Sequence, residues 1–202
     1  MKISLIGAGG HARCLLPLLK QLKVEAEGIY DDSYQAHRNE IILGVPVKGN
    51  IAEVPKGTQV IISKGNCFEL KGLSEQFSSQ LDQKNLIHAS AIVETEKVGK
   101  ANQILALSYL SATAEVGNSN IIYSHSTIEH EVVLGNYNIV TVNVSLCGRV
   151  KIGDSCFFGA GSTILPGVEI CDNVTIGAGA VVTKTITEAG TYVGIPAKKI
   201  SK

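Results

Sequence analysis

From Leu86 to Val182 every sixth residue is apolar, beginning Leu86, Ile92, Val98, Ile104 and ending Ile164, Ile170, Ile176, Val182. The run holds (182 − 86)/6 + 1 = 17 such positions with no insertion or deletion. Neither the period of an α-helix nor that of an alternating strand produces a repeat of six. A second clock runs on the first: Gly99, Gly117, Gly135 and Gly153 stand 18 apart, as do Asn102, Asn120 and Asn138. Eighteen is three sixes, so the pattern predicts a coil with three short flat sides, stacked on itself. Such a solenoid buries the apolar side of each unit only against its neighbours. The spacing further predicts one inward aliphatic column, with glycines at corners where a Cβ would be strained. At 45% hydrophobic residues overall, chance does not keep seventeen successive positions apolar.

Residues 1–85 follow a different pattern. Lys2–Ile6 reads as a buried strand, followed by Gly7-Ala8-Gly9-Gly10-His11-Ala12 and a helical face of Leu15, Leu16, Leu18, Leu19 and Leu22. Pro17 is expected to be tolerated because it falls in the first turns of that helix. A second strand runs through Glu27–Tyr30 into Asp31-Asp32, Gly44–Val47 reads as a small hairpin or edge, Gln59–Ser63 as a third strand and Cys67–Ser78 as a helix. This is a βαβ arrangement on a parallel sheet. Gly7-x-Gly9-x-x-Ala12 matches the dinucleotide fingerprint, and Asp31 or Asp32 falls where a ribose acceptor would be. The glycines let the backbone approach a diphosphate at a helix N-terminus. The domain holds only half the strands of a dinucleotide fold, so a single nucleotide diphosphate fits better than NAD. The boundaries expected are 1–85 for the α/β half domain and 86–202 for the solenoid.

Composition narrows the classes. Lys+Arg and Asp+Glu are both 18, which argues against a nucleic-acid track or a membrane-surface patch. No apolar run approaches the length of a membrane-spanning helix and no signal peptide is legible, so a cytoplasmic chain is expected. Five cysteines without a CxxC pair or a histidine at ligand spacing argue against disulfides and a metal site.

Ile152-Gly153, Phe158-Gly159-Ala160-Gly161, Ile176-Gly177-Ala178-Gly179 and Gly194-Ile195-Pro196-Ala197-Lys198 resemble the hexapeptide-repeat acyltransferases. Those fold as left-handed parallel β-helices and assemble as trimers. With Gly7–His11, Asp31-Asp32, Ser63–Asn66, Leu86–His88 and Ile128-Glu129-His130-Glu131, nearly the whole chain is similar to one branch. That branch comprises sialic acid O-acetyltransferases and nucleotide-linked amino-sugar N-acetyltransferases. The resemblance implies acetyl-CoA held in a cleft between subunits and a nucleotide-sugar in the N-terminal domain. It implies that Gly9, Gly10, His11, Asp31, Asp32 and Gly65 face the nucleotide, that His130 is the general base and that Glu131 orients it. The chain departs from many relatives at Ile139, where a second histidine is usual, and near Glu69, where a basic residue is usual. Asn138 or Tyr137 are candidates to stand in for the missing histidine.

Acetyl transfer from a thioester to an amine needs a base titrating near neutrality, an activated carbonyl and a site for the oxyanion. On the residues alone, His130 reads equally as a corner residue paired with Glu129 or Glu131; the resemblance assigns it the proton transfer. Residue 130 + 18 = 148 is glycine, whose N–H is placed one coil above to donate to the oxyanion. Ala160 and Ala178 are expected on the same face, beside the pantetheine arm, with Lys184, Lys198 and Lys199 as candidates for CoA phosphates. His125 is the rival base; it and His88 read as structural. Cys147 has no group placed by sequence to activate it as a nucleophile. The expected activity is N-acetylation of a nucleotide-linked 4-amino-4,6-dideoxy sugar for a bacterial surface glycan. The alternatives are O-acetylation of a sialic-acid-type sugar, a non-catalytic nucleotide-sugar sensor and an NAD-dependent enzyme.

Overall fold

The computed structural model describes residues 2–200, which divide into two compact units between Gln83 and Lys84. In the first unit β1 (Lys2–Ile6) lies inside a five-stranded sheet. α1 (Gly10–Gln21) leads to β2 (Glu25–Tyr30), a short hairpin pairs β3 (Ile41–Ile42) with β4 (Val45–Gly49), and β5 (Val60–Ile62) precedes α2 (Cys67–Gln76). The sheet order is β3-β4-β2-β1-β5, parallel except for the β3–β4 hairpin. Ile3, Leu5 and Ile6 have no exposed surface, as expected of a central parallel strand covered on both faces.

α1 buries Leu15, Leu16, Leu18 and Leu19 and exposes Arg13, Pro17 and Lys20. Pro17 lies at the start of the third turn, later than the first turns the sequence led us to expect, and there it removes the N–H that would bond the Arg13 carbonyl. Both residues are exposed, and the buried leucine face holds the helix. Leu22 is the C-terminal cap and is partly exposed rather than part of the buried face. α2 starts where the Asn66 side chain accepts from the N–H groups of Phe68 and Glu69, at 2.9 and 3.2 Å.

The second unit is a parallel β-solenoid of two-residue strands on three faces. Successive strands of the first face include 103–104, 121–122, 139–140 and 157–158; of the second, 109–110, 127–128, 145–146 and 163–164; of the third, 115–116, 133–134, 151–152 and 169–170. Partners are 18 apart throughout this stretch, for example Ile128 with Leu146 and Leu134 with Ile152. The inward column contains Ile104, Leu110, Val116 and their successors to Val182, with Phe158 fully buried. A second inward position lies two residues before each, filled by Ala, Val or Cys, as at Ala114, Val132, Val144 and Cys156, or by Asn or Ser. The Asn side chains and the hydroxyls of Ser108 and Ser126 are hydrogen-bonded, whereas the Ser162 hydroxyl has no partner among the described residues. Asn102, Asn120 and Asn138 fill it as a ladder: each N–H of Asn120 and Asn138 donates to the side-chain oxygen one coil below, at 2.9 and 2.8 Å.

Two expectations fail at the residue level. In the first coil the clock is out of phase. Ile87 pairs with Ile104 and Val93 with Leu110, so these two pack on the core while Ile92 is 58% exposed. Val98 is back in register with Val116, because only five residues separate Val93 from Val98. The glycines of the 18-residue clock are also not the strained corners. The left-handed corner residues are mostly not glycine: Ser119, His125, Glu131, Tyr137, Asn143 and Arg149 all have φ between 54° and 63°. Gly117 is required by close approach instead, since a Cβ there would stand 2.5 Å from the Gly135 carbonyl oxygen on the next coil. After Val182 the coil shortens, and Ile186 bridges Ile170 at a spacing of 186 − 170 = 16.

Candidate functional site

The strand 127–128 ends at the fully buried Ile128, and the chain turns through Glu129–Val132, with the Val132 N–H donating to the Glu129 carbonyl at 3.4 Å. The anchor inside fixes the corner outside, so His130 and Glu131 project with half-exposed side chains. His130 Nδ1 lies 3.1 Å from Glu131 Oε2. An ionised carboxylate only accepts, so this contact puts the proton on Nδ1 and leaves Nε2 as the basic nitrogen. As an exposed ion pair it adds little stability; its consequence is the orientation of the ring.

One coil above, the buried Gly148 lies against that ring. A Cβ on it would stand 2.3 Å from His130 Cε1 and 2.4 Å from Nε2, so only glycine allows the imidazole its place. The Gly148 N–H makes no hydrogen bond among the described residues, whereas the neighbouring Arg149 N–H donates to the His130 carbonyl at 2.9 Å. Cys147 is half-buried, and burial together with the Glu129 carboxylate pushes its thiol up, away from the reactive thiolate. His88 Nδ1 is engaged by Ser90, and His125 is a left-handed corner residue that has no carboxylate partner among the described residues.

The remaining cofactor candidates are dispersed. Lys184 is exposed in the corner above Pro166, hence in the corner stack of His130, Gly148 and Pro166. Ala160 and Ala178 do not share that edge. They lie in corners between the first and second faces, one face away from the His130 edge, because 160 − 148 = 12 residues is two sides of the coil rather than three. Lys198 is exposed on the terminal strand Lys198–Ile200, where Lys199 pairs with Glu188.

In the first unit Gly9, Gly10, His11, Asp31 and Gly65 line one cavity of about 460 Å³, together with Ala8, Ser33, Ser63, Lys64 and Glu69. Gly9 is the N-cap of α1 with no side-chain cap, so the positive end of the helix meets the cavity. Asp31 is the hub. Its Oδ1 accepts from the Ser33 N–H and hydroxyl at 2.9 and 2.5 Å, and its Oδ2 from the Ala8 N–H and Lys64 Nζ at 2.9 and 3.0 Å. Burial would raise its pKa, but the Ser33, Ala8 and Lys64 donors outweigh burial and hold the carboxyl well below the usual carboxylate range. With its acceptor sites filled, Asp31 fixes the glycine turn rather than reading a ribose. Asp32 is exposed and outside the cavity lining, its Oδ1 accepting from the Ile51 N–H at 3.1 Å. The sequence signal for Lys64 was its position at the end of a parallel strand beside Gly65, which nothing linear connects to Asp31.

Residues 2–77 match the PglD N-terminal domain, and residues 149–184 match the hexapeptide repeat of succinyl-transferase. The chain fits the nucleotide-linked amino-sugar acetyltransferase branch. No curated protein sequence matches it significantly. Among solved structures, the acetyltransferase domain of PglB from Neisseria gonorrhoeae FA1090 is similar at 25% identity and a TM-score of 0.89, over 98% of this chain and 99% of that one. The same domain in complex with acetyl coenzyme A gives a TM-score of 0.87 at 25% identity, over 98% of each chain. A histidine-to-asparagine mutant of perosamine N-acetyltransferase from Caulobacter crescentus, in complex with CoA and GDP-perosamine, gives 0.77 at 25% identity, over 100% of this chain and 98% of that one.

The fold is thus a Rossmann-like portion followed by a β-solenoid that fits the left-handed β-helix of these acetyltransferases. Where relatives of this branch often carry a second histidine, Ile139 is 1% exposed and offers no polar atom. Asn138 is not free to replace it: its N–H, side-chain amide and side-chain oxygen are engaged by Asn120, Gly153 and Cys156. Tyr137 occupies a left-handed corner and has its own partner.

Proposed function

We propose that this chain is an acetyl-CoA-dependent N-acetyltransferase acting on a nucleotide-linked amino sugar, a 4-amino-4,6-dideoxyhexose of a bacterial surface glycan. The observation that carries the reading is the His130 ring held by Glu131 over the bare backbone of Gly148, 18 residues on. The sugar amine attacks the thioester carbonyl, forming a C–N bond as its proton passes to His130 Nε2. The Glu131 carboxylate stabilises the imidazolium that results. The unpartnered Gly148 N–H donates to the oxyanion, a contact worth ~3–4 kcal/mol in a water-excluded site. Collapse breaks the C–S bond, and the CoA thiolate leaves with the proton carried by His130. Lys184, in the same corner stack, is placed to meet a CoA phosphate, and Lys198 is a second candidate. The N-terminus of α1, with Gly9, Gly10 and His11, receives the diphosphate, and Gly65 lines the same cavity.

We further infer a homotrimer in which acetyl-CoA lies between subunits. Val133, Val142 and Leu165 supply apolar surface on the outside of the solenoid for such contacts.

The deciding experiment is turnover of His130→Ala with acetyl-CoA and a nucleotide-linked amino sugar. We expect kcat to fall by about 10³-fold or more while acetyl-CoA still binds. Turnover within a few-fold of the parent chain would remove His130 from the chemistry. A product cleaved by mild alkali would be an ester, and would redirect the reading to O-acetylation.

A further inference from the structure

The corners of the solenoid obey a rule that is broken beneath His130. From Ser119 to Gly179, each left-handed corner residue other than Glu131 donates its N–H to the carbonyl 19 residues earlier, one coil below. Ser119 thus bonds Lys100, His125 bonds Ala106, Tyr137 bonds Asn118 and Arg149 bonds His130, at 2.8 to 3.2 Å. Glu131 is left-handed like the others, with φ of 59°, yet its N–H goes to the Thr113 hydroxyl at 3.0 Å instead of the Ala112 carbonyl.

The cause is legible in the chain below. Thr113 falls in the six-residue series of corner residues, but its φ is not positive. It is the β-branched member of a series otherwise filled between 101 and 179 by Ala, Leu, Ser, His, Glu, Tyr, Asn, Arg and Gly. A β-branched side chain is strongly disfavoured in the left-handed region. The turn Ser111–Ala114 still closes, with the Ala114 N–H donating to the Ser111 carbonyl at 2.9 Å. A four-residue turn without the positive φ has its central peptide turned over relative to one that has it. That peptide is Ala112–Thr113, so the carbonyl that would have met Glu131 faces away and a hydroxyl takes its place.

We propose that Thr113 is a positioning residue for the His130–Glu131 pair. Its hydroxyl fixes the Glu131 backbone at the point from which the carboxylate reaches His130 Nδ1. This rests on His130 being the base, and the experiment separates the two. Thr113→Val keeps the branched shape, and so the turned peptide, but removes the acceptor for the Glu131 N–H. Paired with Glu131→Ala, it forms a double-mutant cycle read as kcat, with KM for acetyl-CoA alongside. We expect Thr113→Val to lower kcat by about 10- to 30-fold with KM within about two-fold, and Thr113→Ser to recover most of it. In the Glu131→Ala background Thr113→Val should cost less than about two-fold more, because its only route to the chemistry has gone. Circular dichroism establishes that the variants fold, and if the valine does not, Thr113→Ala enters the same cycle. Unchanged kcat in the Thr113 variant, or losses that multiply with those of Glu131→Ala, would overturn the proposal. An active His130→Ala, by contrast, would overturn the assignment of the base and leave the Thr113–Glu131 contact as scaffold.

Discussion

At the scale of single residues, the two units use the same device of a polar side chain standing in for missing backbone partners. Asp31 shows it most fully, since four donors converge on one buried carboxylate and tie the glycine turn to Lys64. Replacing Asp31 by Asn removes the charge and half of the acceptor capacity, leaving Lys64 without its partner. We expect a loss of ~2–4 kcal/mol at neutral pH. The pH dependence has a defined sign. A carboxylate whose folded pKa is depressed contributes fully above its unfolded value near 4 and loses that contribution as pH falls towards the folded pKa. Urea unfolding of the two proteins should therefore show a gap that is constant from pH 7 to 5 and narrows by about 1 kcal/mol at pH 3. A gap that is flat or widens on acidification would mean that Asp31 is not the ionised hub.

At the scale of elements, the sixfold clock was legible because the main inward position of a three-sided coil is apolar at every turn from Ile104 to Val182. The 18-residue ladder followed from it, and placed Gly148 over His130 without any coordinates. The first coil was not legible, because Leu86-Ile87 and Ile92-Val93 offer apolar residues in two adjacent registers. Only the pairing with 103–104 and 109–110 selects between them, and a slip of one residue exchanges inside for outside. The Asp31 hub and the Thr113 exception were hidden for a related reason. Each depends on what lies across a turn, which a linear spacing does not record. The register makes a prediction opposite to the clock's. Val93→Asp buries a charge against Leu110 and should cost ~2–4 kcal/mol, whereas Ile92→Asp, at a position 58% exposed, should stay within about 1 kcal/mol. Chemical denaturation of both variants decides the matter, and the reverse order of stability would restore the clock's phase.

At the scale of the whole chain, each unit has its own core and its own proposed ligand, so the two binding events can be perturbed separately. Gly9 offers a substitution in which stability and binding move in opposite directions. It is the N-cap of α1, lacks a side-chain cap, and has open space where a Cβ would go. Aspartate is a favoured N-cap and suits the positive end of the helix, so Gly9→Asp should stabilise the unliganded protein by about a few tenths of a kcal/mol and raise its melting temperature slightly. The same carboxylate would sit where the proposed diphosphate must approach, and like charge in a cavity of this size opposes binding. A ligand that binds only the folded protein raises its melting point by mass action. In the parent chain, a nucleotide-linked sugar and CoA should each raise it. In Gly9→Asp the nucleotide increment should disappear while the CoA increment persists, because the His130–Gly148 corner stack is untouched. Loss of both increments would mean that the two ligands share a site, and persistence of the nucleotide increment would move the diphosphate away from the α1 N-terminus.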